Sequence, residues 1–222
     1  GLRRKIAERM ERANREVPHF AYVEEIDITA LESLRRHLND NRPGTRLTLL
    51  PLLGMALIRA LREFPQCNAT YDKTRNVIVQ HGSVHLGIAT QTNDGLKVPV
   101  VRDAQRLSLD ELGSEIQRVS GAARDNTIRR EELSGSTITI TSLGKLGGIV
   151  STPVINQPEV GIIGVNRAVE RPMVVNGKVD VRLMMNLSSS FYHRFVDGHD
   201  AAAMIQRIRE MLEHPALIFL PE

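Results

Sequence analysis

A chain of 222 residues, 41% hydrophobic and 25% charged, is long enough to bury one large core and too apolar to remain disordered. Its 29 basic and 26 acidic side chains leave a formal charge of +3, too near neutral and too interleaved for a dedicated nucleic-acid binder. No window approaches the ~20 consecutive apolar residues of a membrane helix. Cys67 is the only cysteine, which excludes an intrachain disulfide and points to a reducing compartment. Within Phe64-Pro65-Gln66-Cys67-Asn68 it reads as a small buried hydrophobe.

In chain order, residues 2–16 read as a basic helix with Ile6 and Met10 on one face, ended by Pro18. The aromatic and β-branched run 19–28 reads as a strand. Thr29-Ala30-Leu31-Glu32 has the pattern of a capping box, opening a helix with Leu31, Leu34 and Leu38 at helical spacing. An apolar helix is expected at 48–64, closed by Pro65. Strands follow at 77–79, 84–90 and 96–101. Ser108-Leu109-Asp110-Glu111 is a second capping-box pattern, for a helix running to about Ala123. Thr and Ile alternate over 136–142 at a strand period, and Gly144, Gly147 and Gly148 then make a loop. The run 160–175 is largely β-branched, Asn176-Gly177 marks a hairpin turn, and 179–191 returns as the partner strand. A last helix spans 197–213, with Ala201, Met204, Ile205, Ile208 and Leu212 on one side. With no internal repeat, low-complexity stretch or linker, these elements make one α/β domain over 1–222.

Chemistry concentrates in His193-Arg194-Phe195-Val196-Asp197-Gly198-His199, between a strand end and a helix start. Imidazole is the side chain best matched to proton transfer near neutral pH. Asp197 is also a natural N-cap for the last helix. A metal site from His193, Asp197 and His199 is the minor alternative, since no second cluster of ligand-type residues supports it. Gly144-Lys145-Leu146-Gly147-Gly148 lacks the Lys-Ser/Thr pair of a phosphate loop and reads as a tight turn. Composition and spacing alone therefore support an α/β domain with a candidate catalytic histidine.

From His193 outward the sequence resembles a known family. Ser190-Phe191-Tyr192-His193-Arg194-Phe195-Val196-Asp197-Gly198 is similar to the His-Arg-x-x-Asp-Gly signature of the dihydrolipoamide acyltransferase (E2) cores of 2-oxo acid dehydrogenase complexes. Ser136-Thr137-Ile138-Thr139-Ile140-Thr141-Ser142-Leu143-Gly144 with Gly147-Gly148 resembles its second motif, and Gly95-Leu96-Lys97-Val98-Pro99-Val100 its Gly-Leu-x-x-Pro-Val element. Val17-Pro18-His19-Phe20, Pro153, Pro158-Glu159 and the stretch 161–166 match in family order. Tyr192 and Phe195 depart from the pattern, standing where the family usually has Asp and a small aliphatic residue. The stretches around Pro18-His19-Phe20, Thr48-Leu49-Leu50-Pro51 and Asn186-Leu187-Ser188-Ser189-Ser190 look closest to branched-chain cores.

The resemblance implies a chloramphenicol-acetyltransferase-like fold, a mixed sheet with flanking helices. It also implies homotrimers that assemble into a cubic or dodecahedral shell, with active sites between adjacent subunits. The implied reaction moves an acyl group, branched-chain for preference, between dihydrolipoamide and coenzyme A. The implied roles are His193 as base, Thr141 as oxyanion donor where the family most often has serine, and Asp197 as a fixer of local geometry. Arg35, Thr48, Gln91, Ser120, Ser142 and Asn166 fall at coenzyme A-contacting positions of the family; no metal is implied. The implied partners are a separate lipoyl domain carrying the lipoyl group and the E1 and E3 components. The implied location is the cytoplasm of a bacterium or the mitochondrial matrix of a eukaryote. The remaining alternatives are an acetyl- or succinyl-transferring core, a non-catalytic E2-like scaffold, which retention of His193 and Thr141 argues against, and a free-standing acyltransferase for small hydroxyl compounds.

Overall fold

Ten strands and five helices form from these patterns in the structure, a computed structural model that describes residues 2–41 and 46–220. The side chains of Leu2, Arg3, Lys5, Ile6, Arg9 and Lys145 lie outside the described set, and with them the expected pairing of Ile6 with Met10. The strands are β1 (His19–Asp27), β2 (Ala69–Asp72), β3 (Val77–Gln80), β4 (Leu86–Thr92), β5 (Gly95–Lys97), β6 (Val100–Val101), β7 (Ile138–Ser142), β8 (Gly161–Val165), β9 (Val169–Val175) and β10 (Lys178–Tyr192). The helices are α1 (Leu2–Glu16), α2 (Thr29–Asn41), α3 (Leu49–Glu63), α4 (Leu109–Arg124) and α5 (Gly198–Glu213).

The main sheet runs β1-β10-β8-β7-β4-β5, with β6 also on β4 and β9 also on β10. β7 is parallel to β4 and to β8, and the other pairs are antiparallel. Central parallel strands are buried on both faces, which explains Gly161-Ile162-Ile163-Gly164-Val165, wholly buried in β8. α5 packs on β1, α4 on β4, and α3 between α4 and α5. The core there is Leu52, Leu53, Leu57, Leu112, Ile138, Ile140, Met204, Ile205 and Ile208, each nearly or wholly sealed from solvent. Each such side chain contributes roughly 1.5–3 kcal/mol by leaving water. Cys67 is buried as expected, and that burial, with the charges of Asp200 and Asp197, pushes its thiol up to about 12.

Several local expectations change. The Ser108 capping box forms as read, its hydroxyl and the Glu111 carboxylate answering each other's backbone N–H groups. The one expected at Thr29 does not. Asp27 Oδ1 accepts from both the Thr29 N–H and hydroxyl, while Glu32 turns to Arg35 and Arg36. An upstream carboxylate and two downstream guanidiniums outcompete the local box. The strand expected over 96–101 breaks into β5 and β6 around Pro99, which lacks the N–H a ladder needs. The run 160–175 splits at 166–168, where Asn166 pairs its backbone N–H with Asn186. β2, only four residues long, was not read from the sequence. It forms a hairpin with β3 through a turn containing Asn76 at φ 54°.

Candidate active site

Thr141 is placed by β7. Along this strand Thr139 and Thr141 share one face while Ile138 and Ile140 take the other into the core. Thr141 stands in register with Ala89 on β4 and Gly164 on β8. Gly164 leaves no room for a side chain, since a Cβ there would sit 2.5 Å from the Ser188 carbonyl oxygen. Above these strands lies a cavity of about 570 Å³, lined by Thr141, Gln91, Ser142 and Asn166 and walled by apolar Val98, Leu133, Val154 and Ile162. Asn166, buried, accepts from Ser188 Oγ at 2.6 Å, and Ser188 Oγ accepts from the Ser151 N–H at 3.2 Å. This relay holds the loop 147–154 over the cavity. Ser142 Oγ accepts from the Gly144 N–H at 3.2 Å, closing the tight turn that the glycines predicted.

His193 lies elsewhere. It follows the end of β10, donates its backbone N–H to the Pro18 carbonyl at 2.9 Å, and sets its ring 5.0 Å from that of Phe20. Its side chain is exposed. Asp197 is the N-cap of α5, accepting from the Asp200 N–H at 2.9 Å. Among the described residues no hydrogen bond joins Asp197 to His193, so its observed work is capping. Tyr192 and Phe195 pack on each other with ring centroids 4.8 Å apart and on Tyr71 at 6.0 and 4.8 Å. The Arg194 guanidinium lies over Tyr71 and Phe195. The two departures from the family pattern thus form one aromatic cluster beside His193.

The ladder measures how far the two ends are apart. Thr141 is opposite Gly164, Gly164 is opposite Ser188, and His193 lies five residues beyond Ser188, just past the end of β10. At ~3.3 Å per residue and ~4.8 Å per strand spacing, His193 and Thr141 of one chain are roughly 15–20 Å apart. They do not meet within one chain.

The other candidates divide in the same way. Gln91, Ser142 and Asn166 share the cavity with Thr141, but Arg35, Thr48 and Ser120 are not among its lining residues. The Arg35 guanidinium grips Glu32 through two bonds of 2.7 and 2.8 Å and the Leu47 carbonyl at 2.9 Å. Arg35 first and Arg36 second hold the Glu32 carboxyl down at about 2. A phosphate at Arg35 would have to compete with that pair. Thr48 is the exposed N-cap residue of α3 and makes no side-chain cap bond. Ser120, buried on α4, accepts from Thr90 Oγ1 at 3.5 Å. The metal alternative is corrected as well. Among the described residues, the ligand-type atoms that cluster are those of Asp197, His199 and Asp200, without His193. One residue was noted in the sequence only within the Pro158-Glu159 match and given no role, Glu159, which is 1% exposed and bonded to Ser136, Thr139 and Asn156. A lone acid within Pro158-Glu159-Val160-Gly161-Ile162 was the available signal.

Comparison with known proteins agrees with this architecture. The chain is 62% identical over 222 residues to the lipoamide acyltransferase component of the branched-chain alpha-keto acid dehydrogenase complex of Pseudomonas putida, covering 99% of this chain and 52% of that protein. It thus spans about half the length of the curated relatives it matches. Among solved structures it resembles the dihydrolipoamide acetyltransferase of Azotobacter vinelandii, studied for the roles of a serine, a histidine and an asparagine in its catalytic mechanism. That match has a TM-score of 0.93 and 35% identity, covering 99% of this chain and 91% of that one. The cubic core of a pyruvate dehydrogenase multienzyme complex matches with a TM-score of 0.93, 36% identity and the same coverage. A chloramphenicol acetyltransferase, 13% identical with a TM-score of 0.59 over 92% of this chain and 94% of its own, shares the fold alone. The family model for 2-oxoacid dehydrogenases acyltransferase (catalytic domain) matches residues 1–220, and the chain belongs to that family.

Proposed function

We propose that this domain transfers an acyl group, branched-chain for preference, between a dihydrolipoyl thiol and coenzyme A, at a site shared by two neighbouring copies of the chain. The observation that carries the reading is the separation just described. A hydroxyl waits in a largely apolar cavity, while the imidazole stands exposed at the far end of the sheet, so the base must come from another copy. The Azotobacter serine, histidine and asparagine stand at the same intervals along their chain as Thr141, His193 and Asp197 do here, which supports the assignment.

Chemically, His193 of one copy takes the proton from the attacking thiol, because the thiolate is the nucleophile. The thiolate adds to the thioester carbonyl of the acyl donor, and the carbonyl oxygen becomes negative. Thr141 of the neighbouring copy donates its hydroxyl hydrogen bond to that oxygen. Collapse expels the second thiolate, which recovers the proton from the His193 imidazolium. Coenzyme A and the lipoyl group enter as substrates, the latter delivered by a lipoyl domain outside this chain. Gln91, Ser142 and Asn166 are the coenzyme A-contacting candidates that share the cavity with Thr141.

Association of copies is supported by apolar side chains left in water. Val174, Val179 and Val181 on the β9–β10 hairpin are 63–75% exposed, and Leu146 is 91% exposed beside the cavity. A homotrimer is the smallest closed ring in the expected assembly, with the cubic or dodecahedral shell and the E1 and E3 components as its larger context.

The test is transfer by purified protein between dihydrolipoamide and isobutyryl-, acetyl- and succinyl-coenzyme A. Isobutyryl should have the highest kcat/KM, with discrimination of roughly 10–200-fold, the range that small apolar differences in a pocket supply. A tenfold advantage for acetyl-coenzyme A would remove the branched-chain reading, and absence of all transfer by folded trimer would remove the enzyme reading.

A further inference from the structure

Glu159 is sealed from solvent at 1% exposure, and its carboxyl bonds are lopsided. Oε1 accepts from Thr139 Oγ1 at 2.8 Å, from Asn156 Nδ2 at 2.8 Å and from the Ser136 hydroxyl, whereas Oε2 is buried without a hydrogen-bond partner. Three donors from two segments of chain therefore converge on one oxygen. Nothing in the acyl-transfer chemistry uses this carboxyl, yet two of its three donors, Thr139 and Asn156, line the cavity that holds Thr141.

Their place in that cavity gives the arrangement meaning. Thr139 lies two residues before Thr141 on the same face of β7, about 7 Å along the strand. An acyl group with its carbonyl oxygen at the Thr141 hydroxyl and its alkyl branches directed along β7 toward Ile138 would reach the Thr139 side of the cavity. Ile162, in register with Thr139, and Val154, Val98 and Leu133 complete an apolar wall there. Thr139 and Asn156 are polar side chains of that lining, and both donate to Glu159. Gly87, paired with Thr139 across the ladder, makes room for this. A Cβ at Gly87 would come within 2.6 Å of Thr139 Oγ1.

We propose that Glu159 is a specificity-determining positioning residue: by drawing the Thr139 hydroxyl and the Asn156 amide onto its buried carboxyl, it leaves an apolar wall that selects a branched aliphatic acyl group over acetyl. The proposal rests on the acyl-transfer reading above and extends it to a residue outside the reacting atoms. Burial also pushes the Glu159 carboxyl up to about 7, so the uncharged form, with the proton on Oε2 and Oε1 as acceptor, prevails below neutral pH. An uncharged acid of this kind has a close mimic in glutamine, whose amide oxygen can take the place of Oε1.

The test compares Glu159→Leu with Glu159→Gln, reading the ratio of kcat/KM for isobutyryl-coenzyme A to that for acetyl-coenzyme A. Leucine removes the acceptor, and the freed hydroxyl and amide turn into the cavity, where an alkyl branch must desolvate them. The ratio should fall about tenfold, chiefly through the KM for isobutyryl-coenzyme A. Glutamine should hold the ratio within about twofold of wild type. Adding Thr139→Val to Glu159→Leu leaves no hydroxyl to turn inward and should restore much of the ratio. If Glu159→Leu lowers both substrates in parallel, with an unchanged ratio, Glu159 is structural only and the proposal falls while acyl transfer stands. If Glu159→Leu does not fold, Thr139→Val alone decides. A maintained ratio supports a hydroxyl turned away from the acyl group, and a lost ratio shows the hydroxyl itself contacts it, overturning the proposal. Wild-type protein that fails to favour isobutyryl removes the underlying reading before any variant is made.

Discussion

If His193 and Thr141 meet only across an interface, two dead proteins should combine into a live one. Thr141→Ala removes one oxyanion donor and should cost about 10²–10³-fold in rate. His193→Ala removes the base and should cost roughly 10²–10⁴-fold. The ladder Thr141–Gly164–Ser188, with His193 five residues further on, places the two groups of one chain beyond any direct contact. In trimers reassembled at random from equal amounts of the two variants, a site is complete when a chain with intact His193 faces a neighbour with intact Thr141. With one base donor and one hydroxyl donor per site, about a quarter of all sites satisfy this. The mixture should therefore recover on the order of a quarter of wild-type activity, more than tenfold above either parent. Moving the mixing ratio to 1:9 should reduce the recovery to about a tenth, because the yield follows the product of the two fractions. The assay is dihydrolipoamide-dependent transfer from isobutyryl-coenzyme A, with native mass spectrometry to establish exchange of chains. If the chains exchange and activity remains parental, the shared site is refuted, even if each residue proves essential alone.

Glu159 should also set a pH dependence of stability. Burial raises its carboxyl from the ordinary 4.5 to about 7 in the folded chain, so its stabilising effect is fully present below about 4.5 and is lost as pH rises through about 7. Relative to Glu159→Gln, the wild type should lose about 3 kcal/mol between pH 4.5 and 8, measured by urea unfolding of both proteins. Parallel curves for the two proteins would show that the group is ionised while buried. Asp197→Ala should cost about 1 kcal/mol of stability through loss of the α5 cap, and Asp197→Asn should recover most of it. An asparagine variant as unstable as the alanine one would mean that the charge, not the cap bond, does the work.

Much of the architecture was legible in the residue order. Helices and strands followed apolar spacing and punctuation, because Pro, Gly and capping residues act within a few positions of where they stand. The Ser108 box, the Asn176-Gly177 hairpin and the Asp197 cap needed no tertiary information. The histidine motif pointed to His193, and the Thr/Ile alternation put Thr141 and Thr139 on one face of a strand. Tertiary structure decided whatever depended on a partner distant in sequence. The Thr29 box lost locally to Asp27, Arg35 and Arg36, charged neighbours within four residues of its two members, and β10 then brought the Leu183 N–H onto the Thr29 hydroxyl as a distant donor. Arg35, on α2, proved to lie outside the cavity lining, and only the ladder revealed that His193 and Thr141 stand far apart along the sheet. Glu159 was visible in the sequence only as part of the Pro158-Glu159 match, with no role attached. Its meaning comes from three donors, at positions 136, 139 and 156, which the chain brings to one buried oxygen only after the sheet has closed around them.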